Sequence, residues 1–218
     1  MPPLHLLIAL GPLSVYLLLI GRINFSRRPF LTTGTRDTLA LALASAGLVV
    51  VGPMELFMPE AAAGFLGPWV WVPLLGLYSF CTLLIALLMK PRLVVYNITT
   101  DQLRPLVETV ASQLDTDRRW AGTSLLMPNV GVQLSLEAFP SMHNVQLIAT
   151  GGAQQDLGGW RKLDLALREA LKPVRVEPNP RGVSFLFFGV AMAAMVIYGL
   201  TQQPEQLTQA IRQFLRMP

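Results

Sequence analysis

Four long apolar segments divide the chain, and polar loops separate them. The segments cover residues 4–21, 38–57, 69–89 and 183–200, and none has a lysine or arginine in its interior. A helix of about 20 mostly apolar residues crosses the roughly 30 Å hydrocarbon core of a bilayer. The pattern therefore predicts four transmembrane helices.

Residues 91–182 show the shorter periods of a folded domain. Apolar positions alternate with polar ones over residues 132–138, which is typical of a half-buried strand, and recur at helical spacing from Leu103 to Leu114. Thr99 and Gln102 fit a capping box at the start of that helix. Strands are predicted at 92–99, 124–127, 132–138 and 144–150, and helices at 99–114 and 160–172.

The predicted order is β-α-β-β-β-α, and two amphipathic helices on one apolar sheet face form a two-layer α+β sandwich. The fold class is therefore an α-helical multi-pass membrane protein with a small inserted α+β domain. Residues 1–90 are expected to form a membrane domain with three spans, and residues 91–182 the inserted domain. Residues 183–218 would supply the fourth span and an amphipathic helix at about 204–217.

Basic residues orient these segments. Between the first two spans lie four arginines and one acid, whereas the loop between the second and third has no lysine or arginine. Because loops on the cytoplasmic side carry an excess of basic residues, residues 22–37 and 91–182 are predicted to be cytoplasmic and both termini outside. A bacterial inner membrane fits this arrangement. The cations that agree are Arg22, Arg27, Arg28, Arg36, Lys90, Arg92 and Arg181, and those that disagree are Arg212 and Arg216.

Composition supports a membrane protein and excludes a nucleic-acid binder. Hydrophobic residues make up 52% of the chain and charged residues 14%, against about 25% charged in soluble domains. The net charge of +4 comes from arginines at the ends of apolar segments, with no basic stripe among exposed aromatics. Those arginines, chiefly Arg22, Arg27, Arg28 and Arg36, are topology determinants and suit anionic lipid headgroups.

A polar interruption marks the outer end of the second span. Pro53 removes a helical hydrogen bond, and Glu55 follows it. Either the helix ends near Gly52 and a surface loop follows, or Glu55 lies at hydrocarbon depth, where carboxylates are costly and often functional. We keep Pro53 and Glu55 as candidate functional residues.

Small residues are spaced through the second and fourth spans, as on helix faces that pack closely in lipid. They are expected to pack within the chain, and a contact with another subunit is the alternative. The amphipathic C-terminal segment, with Phe214, is expected to lie in the membrane interface or against another chain.

The densest polar cluster in the inserted domain falls in the connection 115–122. Mixed charges in a connection are usually solvated, but this one could also contact a partner. Arg118, Arg119 and Trp120 are therefore candidate contact residues, together with Phe214.

Residue patterns that carry chemistry are weak in this sequence. His5, His143 and Cys81 lack ligands or catalytic partners at suitable spacing. Glycines at 151–152 and 158–159 precede the second helix; an anion could bind there, but a connecting loop is favoured. No catalytic residue, metal or cofactor is predicted, and an enzyme is disfavoured.

The resulting hypothesis is a non-enzymatic accessory, scaffold or sensor subunit in the membrane. Its partners would be membrane lipids and other membrane subunits or a second copy of itself, contacted through the cytoplasmic domain and the helix faces. The alternative is a lipid-handling or small-solute transport component that uses the broken second helix around Glu55.

Overall fold

A computed structural model describes residues 3–54, 71–139, 143–151 and 155–202. The chain divides into two compact units, which we call the helical unit and the sheet unit. The helical unit comprises Met1–Ile20, Thr38–Leu88 and Ser184–Pro218, and the sheet unit comprises Gly21–Asp37 and Met89–Val183.

Six α-helices occur in the described part of the chain. They are α1 (Pro3–Phe25), α2 (Gly34–Val49), α3 (Trp71–Leu88), α4 (Thr100–Leu114), α5 (Leu157–Leu171) and α6 (Gly182–Gln202). A π-helical turn, Val50–Met54, extends α2.

Within the described ranges, three apolar stretches are long enough to cross a membrane, namely Leu6–Phe25, Gly34–Gly52 and Gly182–Gln202. They correspond to the first, second and fourth predicted spans. The third predicted span matches α3, whose apolar stretch in the described residues, Val72–Leu88, is shorter. Membrane-length helices beside an antiparallel sheet confirm the coarse fold class.

Close helix contacts in the helical unit run through small residues. A Cβ on Gly47 of α2 would lie 1.8 Å from the carbonyl oxygen of Ile8, so only glycine lets α2 and α1 approach this closely. The hydroxyl of Tyr78 in α3 donates to the carbonyl of Ala42, at 2.6 Å. These small residues of the second span thus pack within the chain.

The sheet unit holds a six-stranded antiparallel sheet in the order β1-β2-β6-β5-β4-β3. The strands are β1 (Phe30–Thr33), β2 (Arg92–Tyr96), β3 (Arg119–Ala121), β4 (Ser124–Met127), β5 (Val132–Phe139) and β6 (Asn144–Ala149). Strands β2, β4, β5 and β6 were predicted, whereas β1 and β3 were not.

Strand β1 lies in the loop that the sequence indicated only as a topology determinant. It pairs antiparallel with β2, from Phe30 opposite Tyr96 to Thr33 opposite Leu93, and its Leu31 is buried. Its sequence, Phe-Leu-Thr-Thr, does not alternate apolar with polar positions, so the pattern did not reveal it. The compact sheet unit therefore includes residues 21–37 as well as residues of the inserted segment.

Helices α4 and α5 supply the second layer over one face of this sheet. The backbone N–H of Thr99 donates to Oε1 of Gln102 at 3.3 Å, the contact expected of the capping box. Apolar side chains of both layers form one core. Its fully buried members include Val95, Leu103, Val107, Leu125, Met127, Leu134, Leu147, Leu163 and Leu167.

Candidate functional site

An open groove of about 410 Å³ lies between α4 and the edge strand β3 of the sheet unit. Its lining residues are Arg104, Pro105, Glu108 and Trp120. Arg104 and Glu108 share one face of α4 because residues four apart in a helix lie one turn above each other. Trp120 lies at the centre of β3 and is half-buried. The groove therefore joins a charged helix face to an aromatic ring at the sheet edge.

The side chain of Arg104 lies over the indole ring of Trp120. The guanidinium carbon is 5.1 Å from the ring centroid, within the range of a cation–π interaction. Its Nη2 also donates to the carbonyl oxygen of Gly122, at 3.2 Å. These contacts hold the arginine across the groove and leave its charge at the surface.

Glu108 connects the helix to the strand through hydrogen bonds from two side chains. Its Oε1 accepts from Nε of Arg118 at 2.7 Å, and its Oε2 accepts from the indole N–H of Trp120. The hydrogen bonds from Trp120 and Arg118 lower the pKa of Glu108, and they outweigh the partial burial that opposes them. Glu108 is thus held as an ionised carboxylate paired with Arg118. It orients Trp120, and it is a poor proton donor.

The predicted polar cluster at 115–122 separates into two different structures. Arg118 and Trp120 bind Glu108, and Arg119 is exposed on β3. The prediction of an irregular connection is wrong for residues 119–121, because they pair with β4 as a strand, although Arg119 and Ala121 are exposed. A three-residue strand is below the length at which sequence alternation is visible.

Asp115, the first member of that cluster, is buried at the end of α4. It accepts from the backbone N–H of Asp117 and from the backbone and side-chain nitrogens of Asn129, each at 2.8 Å. Burial by itself raises the pKa of Asp115, but these hydrogen bonds outweigh it, so the pKa is lowered. Asp115 therefore ties α4 to the turn that follows β4.

Other sequence-predicted residues lie elsewhere or outside the described ranges. Glu55 and Phe214 are outside them, and Pro53 belongs to the π-helical turn Val50–Met54. The four arginines of the first loop are all exposed: Arg22 in the last turn of α1, Arg27 and Arg28 between α1 and β1, and Arg36 in the first turn of α2.

Gly158 and Gly159 lie in the first turn of α5 and take part in its helix cap. Asp156 is the N-cap residue, and its carboxylate accepts from the backbone N–H groups of Gly158 and Gly159, at 2.9 and 3.0 Å. The chain's own carboxylate thus occupies the donors that an external anion would need. The connecting-loop interpretation agrees with this geometry.

Sequence reasoning missed Arg104 and Glu108 as parts of the groove. Both lie within the helix predicted at 99–114, and the only local signal was their spacing of four residues. Their partners come from a strand that was not predicted, so the sequence could not bring them together.

In the described ranges, no group of three or more histidine, cysteine, aspartate or glutamate side chains is arranged to hold a metal ion. No family model matches the chain, and no curated protein or solved structure shows significant similarity to it.

Proposed function

We propose that this chain is a non-enzymatic accessory subunit of a membrane assembly. Its sheet unit binds an extended acidic segment of a partner protein along β3. The observation that carries this proposal is the groove at the sheet edge, where a half-buried indole ring and exposed arginines accompany a strand with one neighbour.

The backbone of β3 is available for pairing. In the described residues β3 hydrogen-bonds to β4 alone, and edge strands of this kind accept an added strand from a partner chain. A peptide that continues the sheet would pass beside Trp120, which offers apolar contact. Main-chain hydrogen bonds would then supply affinity, and the ring would fix the register.

Charge favours an acidic partner at this edge. Glu108 is neutralised by Arg118, at an Nη2–Oε1 distance of 2.7 Å. Arg104 and Arg119 then remain as the exposed cations of the edge. Two guanidinium groups beside a groove complement carboxylates, which they bind through paired hydrogen bonds.

The same proposal places the helical unit in a bilayer with four spans, α3 being the third. Only 17%, 22% and 11% of the three membrane-length apolar stretches, in chain order, is buried within the protein. Such apolar surface is unfavourable in water and suited to lipid. The chain passes between the units four times, and each passage carries a cation on the sheet-unit side, at Arg22, Arg36, Lys90 and Arg181.

By the positive-inside rule, this arrangement puts the sheet unit in the cytoplasm and both termini outside an inner membrane. We expect a cysteine placed at the exposed Gln113 of α4 to resist an impermeant thiol reagent in intact cells and to react in inverted vesicles. Cys81 is replaced by alanine in this background, and a cysteine near the N-terminus is the opposite control. Labelling of position 113 in intact cells would reject the orientation.

Site-specific photocrosslinking tests the groove in native membranes. A photoreactive residue at the exposed Ala121 of β3 is expected to give one discrete adduct. Replacing Trp120 with alanine should reduce its yield by about tenfold, because central aromatic residues dominate such interfaces. The adduct should be identified by mass spectrometry, and the crosslinked partner peptide should be rich in aspartate or glutamate.

Leu165 provides the matched control, because it is an exposed apolar residue on the outer side of α5. A crosslinker there should give no such adduct, and Leu165→Ala should leave the yield from position 121 unchanged. Equal adducts from both positions, or a basic crosslinked peptide, would contradict the proposed contact.

A lipid-handling or solute-transport role is the second candidate. The π-helical turn Val50–Met54, which includes Pro53, follows α2 and ends directly before Glu55, and such turns occur often at functional sites. A lipid or solute that remains bound at Glu55 through purification would favour this role over that of an accessory subunit.

A further inference from the structure

Two segments distant in sequence lie side by side in the sheet unit. The backbone N–H of Val176 donates to the carbonyl of Arg27 at 3.0 Å, and that of Asn179 donates to the carbonyl of Asn24 at 2.9 Å. These bonds align residues 22–28 with residues 175–181 in opposite directions. The segment that follows α5 is thereby fixed against the end of α1.

A buried amide pair closes this contact. Asn24 and Asn179 are 1% and 4% exposed, and Nδ2 of Asn179 donates to Oδ1 of Asn24 at 3.2 Å. Oδ1 of Asn179 also accepts from the backbone N–H of Arg181, at 3.1 Å. Buried polar groups that satisfy one another specify a single arrangement. The backbone that carries the neighbouring arginines is therefore preorganised.

The two aligned segments carry a concentrated positive charge. They contain five exposed arginines and one acid, the exposed Glu177, so their net charge is five minus one, or +4. We call these arginines the arginine platform: Arg22, Arg27, Arg28, Arg175 and Arg181.

The position of the arginine platform along the chain indicates its ligand. Arg22 lies in the last turn of the membrane-length α1, and Arg181 directly precedes the membrane-length α6. Phe25, 49% exposed, is the last residue of α1 and adds apolar surface next to these arginines in the chain. Phosphate groups of lipids occur at the ends of such helices.

We propose that the arginine platform is a binding site for the headgroup of an anionic phospholipid. The inference rests on the membrane embedding proposed above, but not on the β3 groove. Guanidinium groups bind phosphate oxygens through paired hydrogen bonds, and several on a fixed backbone suit a polyanionic headgroup such as cardiolipin better than a single charge. A topology signal requires only charge, whereas this site also has the fixed geometry of the Asn24–Asn179 pair.

Binding of fluorescent cardiolipin to the purified full-length protein tests the site. Arg28→Gln with Arg175→Gln should weaken binding by about thirtyfold, since each surface cation contributes roughly one kilocalorie per mole toward anionic lipid. Arg161→Gln with Lys162→Gln removes the same charge from the exposed side of α5 and should change binding less than about twofold. Equal loss in both double variants would reduce the site to a general charge effect and overturn it.

Two further binding measurements distinguish a lipid headgroup from free phosphate as the ligand. Fluorescent phosphatidylcholine should bind equally weakly to all variants, because it is zwitterionic. Inorganic phosphate should not displace cardiolipin at matched phosphate concentration; full displacement would assign the platform to free phosphate and overturn the lipid site.

Measurements on the unmodified protein keep the test independent of variant folding. Cardiolipin should raise its Tm more than phosphatidylcholine does, because a ligand that binds only the native state stabilises it. No difference between the two lipids would refute the site. The crosslink from position 121 should be unchanged in the variant with both Arg28→Gln and Arg175→Gln. Failure of the lipid site would therefore leave the β3 groove unaffected, and failure of the groove would leave the lipid site unaffected.

Discussion

Replacing Gly159 with alanine is expected to destabilise the sheet unit by about 3 kcal/mol, because added atoms in a packed interior force backbone shifts. A Cβ at this position would lie 2.1 Å from the carbonyl oxygen of Val130 and 2.8 Å from Cγ2 of Val132. The first of these atoms belongs to the backbone, so no side-chain rotation relieves the clash. The first turn of α5 must therefore move away from β5 or lose its cap.

Gly158 is the matched control, one residue earlier in the same turn. A Cβ there would meet only the carboxylate oxygens of Asp156, at 3.2 and 3.3 Å, and the residue is exposed. Alanine has a higher helix propensity than glycine by up to about 1 kcal/mol, so Gly158→Ala should be neutral or slightly stabilising.

Thermal unfolding of the two purified variants, followed by circular dichroism in the same detergent, checks this pair. The expected order of Tm is Gly159→Ala well below the unmodified protein, with Gly158→Ala at or above it. A Gly159→Ala variant with unchanged Tm would show that α5 does not approach β5 as closely as described.

Replacing Asp115 with asparagine is expected to lower the Tm clearly at neutral pH, since hydrogen bonds to a charged carboxylate are stronger than those to a neutral amide. The new amide nitrogen would face the N–H donors of Asp117 and Asn129, which now bind the carboxylate. The change should loosen the turn after β4 and, through α4, the geometry of the groove.

The pH dependence of this loss has a defined sign. The pKa of Asp115 is lower in the folded protein than the ordinary aspartate value of 3.8. The carboxylate therefore contributes stability that is fully present above about pH 4 and is lost as the pH falls through the folded pKa. The Tm difference between the unmodified protein and Asp115→Asn should be largest at neutral pH and shrink below pH 3.8.

Asp117→Asn is the control for that measurement. Asp117 is exposed, and its Oδ2 accepts a single hydrogen bond from Asn129, at 3.1 Å. Its replacement should change Tm little at any pH. A difference for Asp115→Asn that stays constant down to strongly acidic pH would mean that its carboxylate is not selectively stabilised in the folded state.

The groove shows where reasoning from the sequence alone stops. The composition of residues 115–122 indicated a partner contact at Arg118, Arg119 and Trp120, and this contact stays a prediction. The roles of these residues differ in the structure, since Arg118 neutralises Glu108 and Arg119 remains exposed. No local pattern distinguishes two adjacent arginines whose partners lie on another element.

The elements that local pattern could identify are those with enough residues to repeat it. Helices α4 and α5 show several turns of apolar spacing, and β5 alternates over residues 132–138. Strands β1 and β3 show no alternation and become strands because a longer neighbour offers a free edge. Their formation depends on tertiary pairing more than on their own residues.

The sequence by itself determined the apolar segments, their flanking cations and the two-layer pattern of the inserted domain, because burial periodicity and charge are local properties of the chain. Only the tertiary structure decided that residues 21–37 belong to the sheet unit and that Asn24 contacts Asn179, which is 155 positions away in the chain. Hydrogen bonds between distant segments depend on complementary edges and enclosed polar groups, and neither leaves a repeating signal along the chain.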